Sequence, residues 1–195
     1  MHAFEPTAET AAVLLGRLES NGRASICESA VADVVGSATF NVDNRTHAGG
    51  SNSLLEHSSN FATRARVDRY APVVVPVTTI DAYATEHTIE HIDLVKLDIE
   101  GAELLALAGA GVMLAEQAID FIVTEVRFIA DYVDQPLFPQ LIHHLESRGY
   151  SLFNVYAPAE SEVRQALFGD AVFVSDKMRD QMLVTYGPKG CGWSG

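Results

Sequence analysis

Cysteine is nearly missing from this chain of 195 residues, which contains only Cys27 and Cys191. Two cysteines this far apart in sequence argue against a disulfide scaffold and against a zinc site, because both need clustered sulfur ligands. We therefore expect two reduced thiols in a cytoplasmic protein. Long apolar runs are missing as well. No stretch approaches the roughly 18 apolar residues of a membrane helix, and the chain does not open with a signal peptide.

Positive charge is also scarce. Lysine and arginine number 13 against 26 aspartates and glutamates, which gives a formal net charge of −13. Tight binding to nucleic acid or to an anionic membrane requires clustered lysine and arginine, so this balance disfavours both. The composition instead favours a small molecule, a glycan or a peptide as the partner, and it carries no signal for an oligomeric state.

The apolar content is sufficient for a folded core. Hydrophobic residues make up 48% of the chain and charged residues 20%, which is typical of a soluble globular protein. The length of 195 residues predicts one domain. We place this domain over residues 1–175 and a tail over residues 176–195, whose glycine-rich end we expect to be frayed.

The stretch over residues 92–103, IDLVKLDIEGAE, is the most informative part of the sequence. Its first half is an apolar run around Val95, a pattern typical of a strand buried on both faces. The carboxylates Asp98, Glu100 and Glu103 follow, and the sequence then turns helical. A strand that ends in acids before a helix predicts the carboxyl edge of an open α/β sheet, where ligands bind.

Two further strands are expected to bring acids to the same edge. Residues 2–4 lead to Glu5, and the apolar strand over residues 119–126 carries Glu125. From its position, Glu5 either hydrogen-bonds the two hydroxyls of a ribose or charges the start of the next helix. Glu103 lies in the first turn of its own helix, so we expect it to fold back onto a backbone N–H.

Local signals predict several connections. Residues 30–35 and 37–42 are expected to form a hairpin at Gly36, and Pro76 is expected to place its strand at a sheet edge or at an irregular end. Thr78 or Thr79 should cap the helix that follows.

Two more local expectations concern the histidines and the end of the chain. We expect His87 and His91 to be exposed to solvent rather than to bind metal. The last two strands, over residues 150–155 and 171–174, should form an antiparallel pair.

The motifs together resemble the FkbM-type S-adenosylmethionine-dependent methyltransferases. KLDIEGAE at residues 96–103 is preceded by Thr79-Ile80-Asp81 and followed by the strand that carries Glu125. AFEP at residues 3–6 and AVADVVG at residues 30–36 match the same family in the same order. The resemblance extends over roughly residues 3–175. It implies a Rossmann-like class I methyltransferase sheet with helices on both faces, S-adenosylmethionine as cofactor, and O-methylation of a hydroxyl on a sugar or secondary metabolite.

The resemblance also implies roles for individual residues. Six residues are expected to bind the cofactor, with Glu5 at the ribose and the segment that carries Ala30, Val31 and Asp33 beside the adenine: Glu5, Pro6, Ala30, Val31, Asp33 and Asp98. The alternative for Asp33 is that it simply opens a turn. Ser51, Asn52 and Ser53 correspond to a segment near the substrate entrance of the relatives, and the alternative is a mobile surface loop over residues 47–60.

The acids are the candidates for catalysis. Asp98 is our first choice for orienting or deprotonating the acceptor hydroxyl, with Glu100 and Glu125 as its partners or as ligands to the acceptor. Acids this close would raise one another's pKa, which suits a base and would also suit a divalent cation. We assign no metal ion to this site. We assign no catalytic role to Lys96. Arg64, Arg66 and Arg69 either orient an anionic substrate or lie on a solvated surface.

The resemblance further implies a strand and a glycine-rich loop ahead of AFEP. We therefore expect the domain to be truncated at its N-terminus, with Met1 a misassigned start or the product of a deletion. The alternative function is then an inactive remnant that serves as a partner or scaffold domain. A dehydrogenase with the same sheet is less favoured, because the glycine-rich dinucleotide fingerprint is missing.

Overall fold

The structure, a computed structural model, describes residues 1–18, 22–43, 50–58 and 70–190. Arg64, Arg66 and Arg69 lie outside the described residues. The strands are β1 (His2–Phe4), β2 (Ser25–Cys27), β3 (Ala30–Val31), β4 (Gly36–Asp43), β5 (Tyr70–Thr78), β6 (Ile92–Leu97), β7 (Ile119–Arg127), β8 (Tyr150–Glu160) and β9 (Ala166–Ser175). The helices are α1 (Ala8–Leu18), α2 (Ile80–Glu86), α3 (Glu103–Ala108), α4 (Gly111–Ala115), α5 (Phe138–Glu146) and α6 (Asp176–Gly190).

The described strands form three hydrogen-bonded sheets, with the orders β1-β2, β3-β5-β4 and β6-β7-β9-β8. In the largest sheet, β6 and β7 run parallel, whereas β9 runs antiparallel to both β7 and β8. The described chain contains strands and helices in both its halves, so the predicted mixed α/β class is confirmed.

The main core packs helices against the largest sheet. Its fully buried side chains include Leu107 of α3, Leu114 of α4, Ile122 of β7, Leu145 of α5 and Phe173 of β9. Burying one such side chain contributes about 1.5–3 kcal/mol, so this packing fixes the carboxyl ends of β6 and β7 relative to each other. A smaller core around Phe40, Val75 and Val77 belongs to the three-stranded sheet.

The predicted hairpin at Gly36 is wrong. Ala30 of β3 pairs in parallel with Val77 of β5, and β4 pairs antiparallel with that same strand. The two segments on either side of Gly36 therefore both pair with β5 and do not pair with each other. The hairpin signal is local, whereas the valine-rich β5 arrives later in the chain and offers a better partner to both segments.

Pro76 lies in β5 opposite Ser37 of β4. Because β3 pairs only with Val77 and Thr78, β5 has one unpaired side along its length up to Pro76, as far as the described residues show. The predicted edge position is therefore confirmed for the part of the strand that contains this proline. A proline is tolerated there because no ladder needs its missing N–H.

Thr79 caps helix α2, as predicted. The Thr79 hydroxyl accepts a hydrogen bond of 3.0 Å from the Ala82 N–H, which satisfies one of the unpaired donors of the first turn. Asp81 of the same turn caps a different helix: its carboxylate accepts from the N–H groups of Val112 and Met113, at 2.8 and 3.0 Å. The starts of α2 and α4 are thereby joined.

The open edges of β1 and β6 line a common groove of about 480 Å³. Among the described residues, β1 pairs only with β2, and β6 pairs only with β7. The Ile92 N–H donates to the Ala118 carbonyl, on the β7 side of the strand. In a parallel strand, every second residue bonds to the same neighbour. Val95 lies three positions after Ile92, so its main-chain groups point to the opposite side, toward the groove. Leu94 is 55% exposed, so the prediction that this strand is buried on both faces is wrong.

The chain after Ser175 continues directly into α6, in which Gly187 has a non-helical φ of 68°. The frayed end predicted from the glycine-rich terminus concerns residues 191–195, which lie outside the described part of the chain. Among the described helices, none is long and apolar enough to cross a membrane.

Candidate active site

A cavity of about 300 Å³ lies where the carboxyl ends of β1, β3 and β6 meet. Ligands of α/β proteins bind at this end of parallel strands, because the turns that follow the strands present polar groups there. Apolar side chains form part of the wall, namely Phe4, Val31, Phe40 and Leu54. The volume is at the lower end of the range for small-molecule pockets, about 300–1,000 Å³.

Most of the predicted site residues line this cavity. They are Glu5, Pro6, Ala30, Val31, Asn52, Asp98 and Glu100. Glu125 adjoins it, since one carboxylate oxygen from each of Asp98, Glu100 and Glu125 lies within 4.8 Å of the other two. Asp33 is exposed on the turn before β4 and is not part of the wall. Ser51 and Ser53 do not contribute to the wall either.

Glu5 follows the last residue of β1. Its Oε1 accepts hydrogen bonds from the Thr7 N–H at 2.9 Å and from the Thr7 hydroxyl at 2.7 Å. Both donors belong to the turn that leads into α1. One carboxylate oxygen of Glu5 therefore lies at the start of this helix, as one of the two expectations for Glu5 stated. As far as the described residues show, Oε2 has no donor and stays available at the cavity wall.

The acidic turn after β6 depends on unusual backbone conformations. Glu100 and Gly101 both have positive φ angles, 54° and 97°. The φ of Gly101 strains any other residue, and a Cβ there would lie only 2.9 Å from Gln135 Nε2, so the Gln135 side chain would have to shift. A left-handed Glu100 is uncommon and costs about 1–3 kcal/mol, and such residues cluster at functional sites.

Glu103 stabilises this turn through hydrogen bonds to its main chain. Its Oε1 accepts from the N–H groups of Ile99 and Gly101, both at 3.2 Å, and the residue is 4% exposed. The prediction that Glu103 folds back onto its own turn is confirmed. The carboxylate thus satisfies the main-chain donors of the loop that carries Asp98 and Glu100.

Arg127 contacts two of these acids and was not identified from the sequence. Its Nη2 lies 3.1 Å from Glu100 Oε2 and 2.8 Å from Glu125 Oε2, and its Nη1 donates to Asp131 at 2.9 Å. The side chain is only 9% exposed. Strand alternation could have found it, because residues two apart on a strand share a face, and Arg127 follows Glu125 by two positions.

Tyr132 completes the surroundings of Glu100. Its hydroxyl donates a hydrogen bond of 2.9 Å to Glu100 Oε2, the same oxygen that contacts Arg127. The loop that carries Tyr132 is held by Gln135, whose Oε1 accepts from the N–H groups of Asp131 and Tyr132. Two donors from different elements therefore fix one oxygen of Glu100.

Burial dominates the ionisation of these acids. It raises the pKa of Glu125 to about 7, an effect that the neighbouring carboxylates strengthen and that the guanidinium of Arg127 opposes. Burial also raises the pKa of Glu100, against the hydrogen bond from Tyr132 and the charge of Arg127. A carboxyl with a pKa near neutrality can both accept and release a proton at physiological pH.

Asp98 has a different environment. Its side chain is 59% exposed, and Lys96 Nζ lies 3.3 Å from its Oδ2. Lys96 also contacts Asp170 of β9 at 3.2 Å. Asp98 is thus the acid of the group that a bound molecule reaches most easily.

The loop over Ser51, Asn52 and Ser53 packs against the acidic turn. Asn52 Oδ1 accepts a hydrogen bond of 2.8 Å from the Asp43 N–H, which sets the side chain at the cavity wall. The Ser53 hydroxyl donates to the main-chain oxygen of Glu100 at 2.6 Å and is fully buried. The Ser51 hydroxyl contacts the neighbouring Gly50 oxygen.

Among the described residues, two groups of side chains have the spacing that could hold a cation. In the group formed by Asp98, Glu100 and Glu125, Arg127 already supplies a positive charge to two of the three carboxylates. In the other group, His91 and Asp120 form a contact of 3.1 Å beside Asp93.

The sequence matches a known protein family over most of its length. A family model described as the methyltransferase FkbM domain matches residues 1–152. The matched part contains β1, β3, β6 and β7, the strands that bring the acids together, and ends within β8. No curated protein and no solved structure matches the chain.

Proposed function

Because the chain belongs to the FkbM methyltransferase family, we propose that it transfers a methyl group from S-adenosylmethionine to a hydroxyl of a sugar or secondary metabolite. The observation that carries the proposal is the meeting of three strand ends at one cavity. Glu5, Val31 and Asp98 come from distant parts of the sequence and line the same space.

The cavity suits the cofactor chemically. A ribose presents two neighbouring hydroxyls that need an acceptor, and Glu5 Oε2 is an acceptor without a described donor. The apolar wall around Val31 and Phe40 suits the flat face of an adenine. We assign Glu5 to the ribose hydroxyls and Ala30 and Val31 to the adenine.

The acids at the far side of the cavity suit the transfer itself. S-adenosylmethionine, when bound, supplies a methyl group on a sulfonium. It would give this methyl group to the acceptor oxygen and keep the sulfur as a thioether, and a carboxylate of the site would take the proton of the hydroxyl. Asp98 is exposed enough to orient the hydroxyl or take its proton, with Glu100 and Glu125 beside it. Holding the acceptor in line with the methyl carbon supplies much of the rate.

Isothermal titration calorimetry with S-adenosylmethionine tests the cofactor assignment. We expect micromolar binding by the wild type and at least about tenfold weaker binding by Glu5→Gln, because the amide presents a donor where the ribose needs an acceptor. Glu146→Gln makes the same chemical change at an exposed site on α5 and should bind like the wild type. No binding by the wild type would overturn the proposed cofactor.

A methyl-acceptor screen tests the substrate class. Sugars and hydroxylated metabolites are incubated with the protein and S-adenosylmethionine, and the release of S-adenosylhomocysteine is measured. We expect turnover with an acceptor that carries a free hydroxyl and none with the same molecule in which that hydroxyl is already methylated. Turnover only with amine or thiol acceptors would contradict O-methylation.

A further inference from the structure

We propose that Arg127 is a positioning residue of this site: it holds Glu100 and Glu125 by their Oε2 atoms and leaves their Oε1 atoms without a donor among the described residues. The inference rests on the proposed methyl transfer, because it concerns two carboxylates of that same site. Arg127 itself does not line the cavity, so its effect on a bound acceptor passes through the two glutamates.

The guanidinium is fully engaged. Nη2 bridges Glu100 Oε2 and Glu125 Oε2 at 3.1 and 2.8 Å, and Nε donates to the same Glu125 oxygen at 3.0 Å. Nη1 reaches Asp131 at 2.9 Å. The ring of Phe168 lies against the guanidinium, 4.7 Å from Cζ to the ring centroid. A planar group held on every nitrogen and on one face has a fixed orientation.

The described contacts of both glutamates fall on one of their two carboxylate oxygens, Oε2. Glu100 Oε2 receives Arg127 and Tyr132, and Glu125 Oε2 receives two nitrogens of Arg127. Within the described part of the chain, neither Oε1 has a donor. Each carboxylate is therefore anchored through one oxygen and keeps the lone pairs of the other for a ligand.

Several carboxylates lie near Glu125. Asp170 of β9 lies directly opposite in the antiparallel ladder, and the turn after β6 contributes further acids. The neighbouring carboxylates are Asp98, Glu100, Glu103, Asp131 and Asp170, and the neighbouring cations are Lys96 and Arg127.

Among these cations, Arg127 is the one that contacts Glu125. Lys96 is occupied by Asp98 and Asp170, at 3.3 and 3.2 Å. Arg127 also limits the rise in the pKa of Glu125, which burial lifts to about 7. Removing the guanidinium should therefore raise this pKa further.

The test is a pH titration of Glu125 by carbon NMR, in protein labelled with ¹³C-glutamate and assigned with Glu125→Gln. We expect a wild-type midpoint of about 7. The neutral variants Arg127→Met and Arg127→Gln should raise it by about 1–3 pH units, the range for losing a contacting opposite charge. Arg164→Met is the matched control, since Arg164 is 83% exposed and pairs with Glu160. It should leave the midpoint unchanged.

An unchanged midpoint in a folded neutral variant, as judged by circular dichroism, overturns the proposal. If neither neutral variant folds, Arg127→Lys decides. Its single ammonium lacks the fork that reaches three carboxylates, so the midpoint should still rise, by less than in a neutral variant. A wild-type midpoint in Arg127→Lys would overturn the proposal as well.

The pH dependence of methyl transfer links this titration to function. We expect the pH of half-maximal turnover to rise with the Glu125 midpoint, and a turnover profile that stays fixed while the midpoint moves would contradict a positioning role. The titration itself needs no acceptor or cofactor. Absence of any methyl transfer would therefore overturn the proposed function and leave the NMR result on Arg127 standing.

Discussion

The Ser53 hydroxyl donates a hydrogen bond of 2.6 Å to the main-chain oxygen of Glu100. The same hydroxyl accepts from the Leu55 N–H at 3.0 Å, and Ser53 also pairs through its main chain with Asn41 of β4. Through these bonds, the loop that carries Asn52 is attached both to the three-stranded sheet and to the acidic turn. The position of one cavity wall thus depends on a buried serine that has no contact with the cavity itself.

Replacing this serine should therefore destabilise the protein. We expect Ser53→Ala to lower the free energy of unfolding by about 1–3 kcal/mol, because the Glu100 carbonyl and the Leu55 N–H lose a partner in a buried place. Urea denaturation measures the change. Ser51→Ala is the control: its hydroxyl bonds the adjacent Gly50 oxygen at an exposed position, and we expect a change below about 0.5 kcal/mol. Equal effects of the two substitutions would argue against the attachment.

Asp98→Asn should separate catalysis from cofactor binding. The substitution keeps the size of the side chain but removes the base and its charge, so we expect turnover to fall by about 10²–10⁴-fold. Affinity for S-adenosylmethionine should stay within about twofold of the wild type, because Glu5 and the apolar wall remain. Asp180→Asn, on the exposed surface of α6, is the matched control. Unchanged turnover in Asp98→Asn would remove this residue from its proposed role.

The raised pKa of Glu125 predicts a pH dependence of stability. Its ordinary pKa of 4.5 applies to the unfolded chain, whereas the folded protein holds the proton up to about pH 7. Between these values the folded state binds more protons than the unfolded state. This contribution to the free energy of unfolding is therefore present at low pH and is lost as pH rises.

Glu125→Gln should remove that part of the pH dependence. Between pH 4.5 and pH 7, we expect the free energy of unfolding of the wild type to fall by about 1–3 kcal/mol more than that of the variant. Urea denaturation at several pH values gives the two curves. Glu146→Gln, at an exposed position on α5, should follow the wild type. Parallel curves for the wild type and Glu125→Gln would show that the proton uptake has another source.

Local structure was the most predictable part of this protein. Thr79 caps α2 and Glu103 folds back onto its turn, as expected, because each interaction joins residues only a few positions apart. The hairpin at Gly36 failed for the opposite reason. Its two segments chose β5 as a common partner, and a choice among distant strands is not encoded in the turn between them.

The sequence predicted which acids belong to the site, but it did not predict which side chains surround them. Asp98, Glu100 and Glu125 could be found because each follows or ends an apolar strand. Arg127 was missed although it shares a face with Glu125, because an arginine in a strand is usually expected to be solvated. Its burial against Phe168 and its three carboxylate partners depend on strands and loops that lie far apart in the sequence.

The sequence by itself determined the family, the mixed α/β class and the strand ends that carry the carboxylates, because these follow from motifs and from periodicity within short stretches. Only the tertiary structure decided which of those acids share a cavity, which are anchored by Arg127, and which protonates near neutral pH. Those properties depend on burial and on Coulomb interactions over a few ångströms. They are set by side chains that the fold brings together from separate strands.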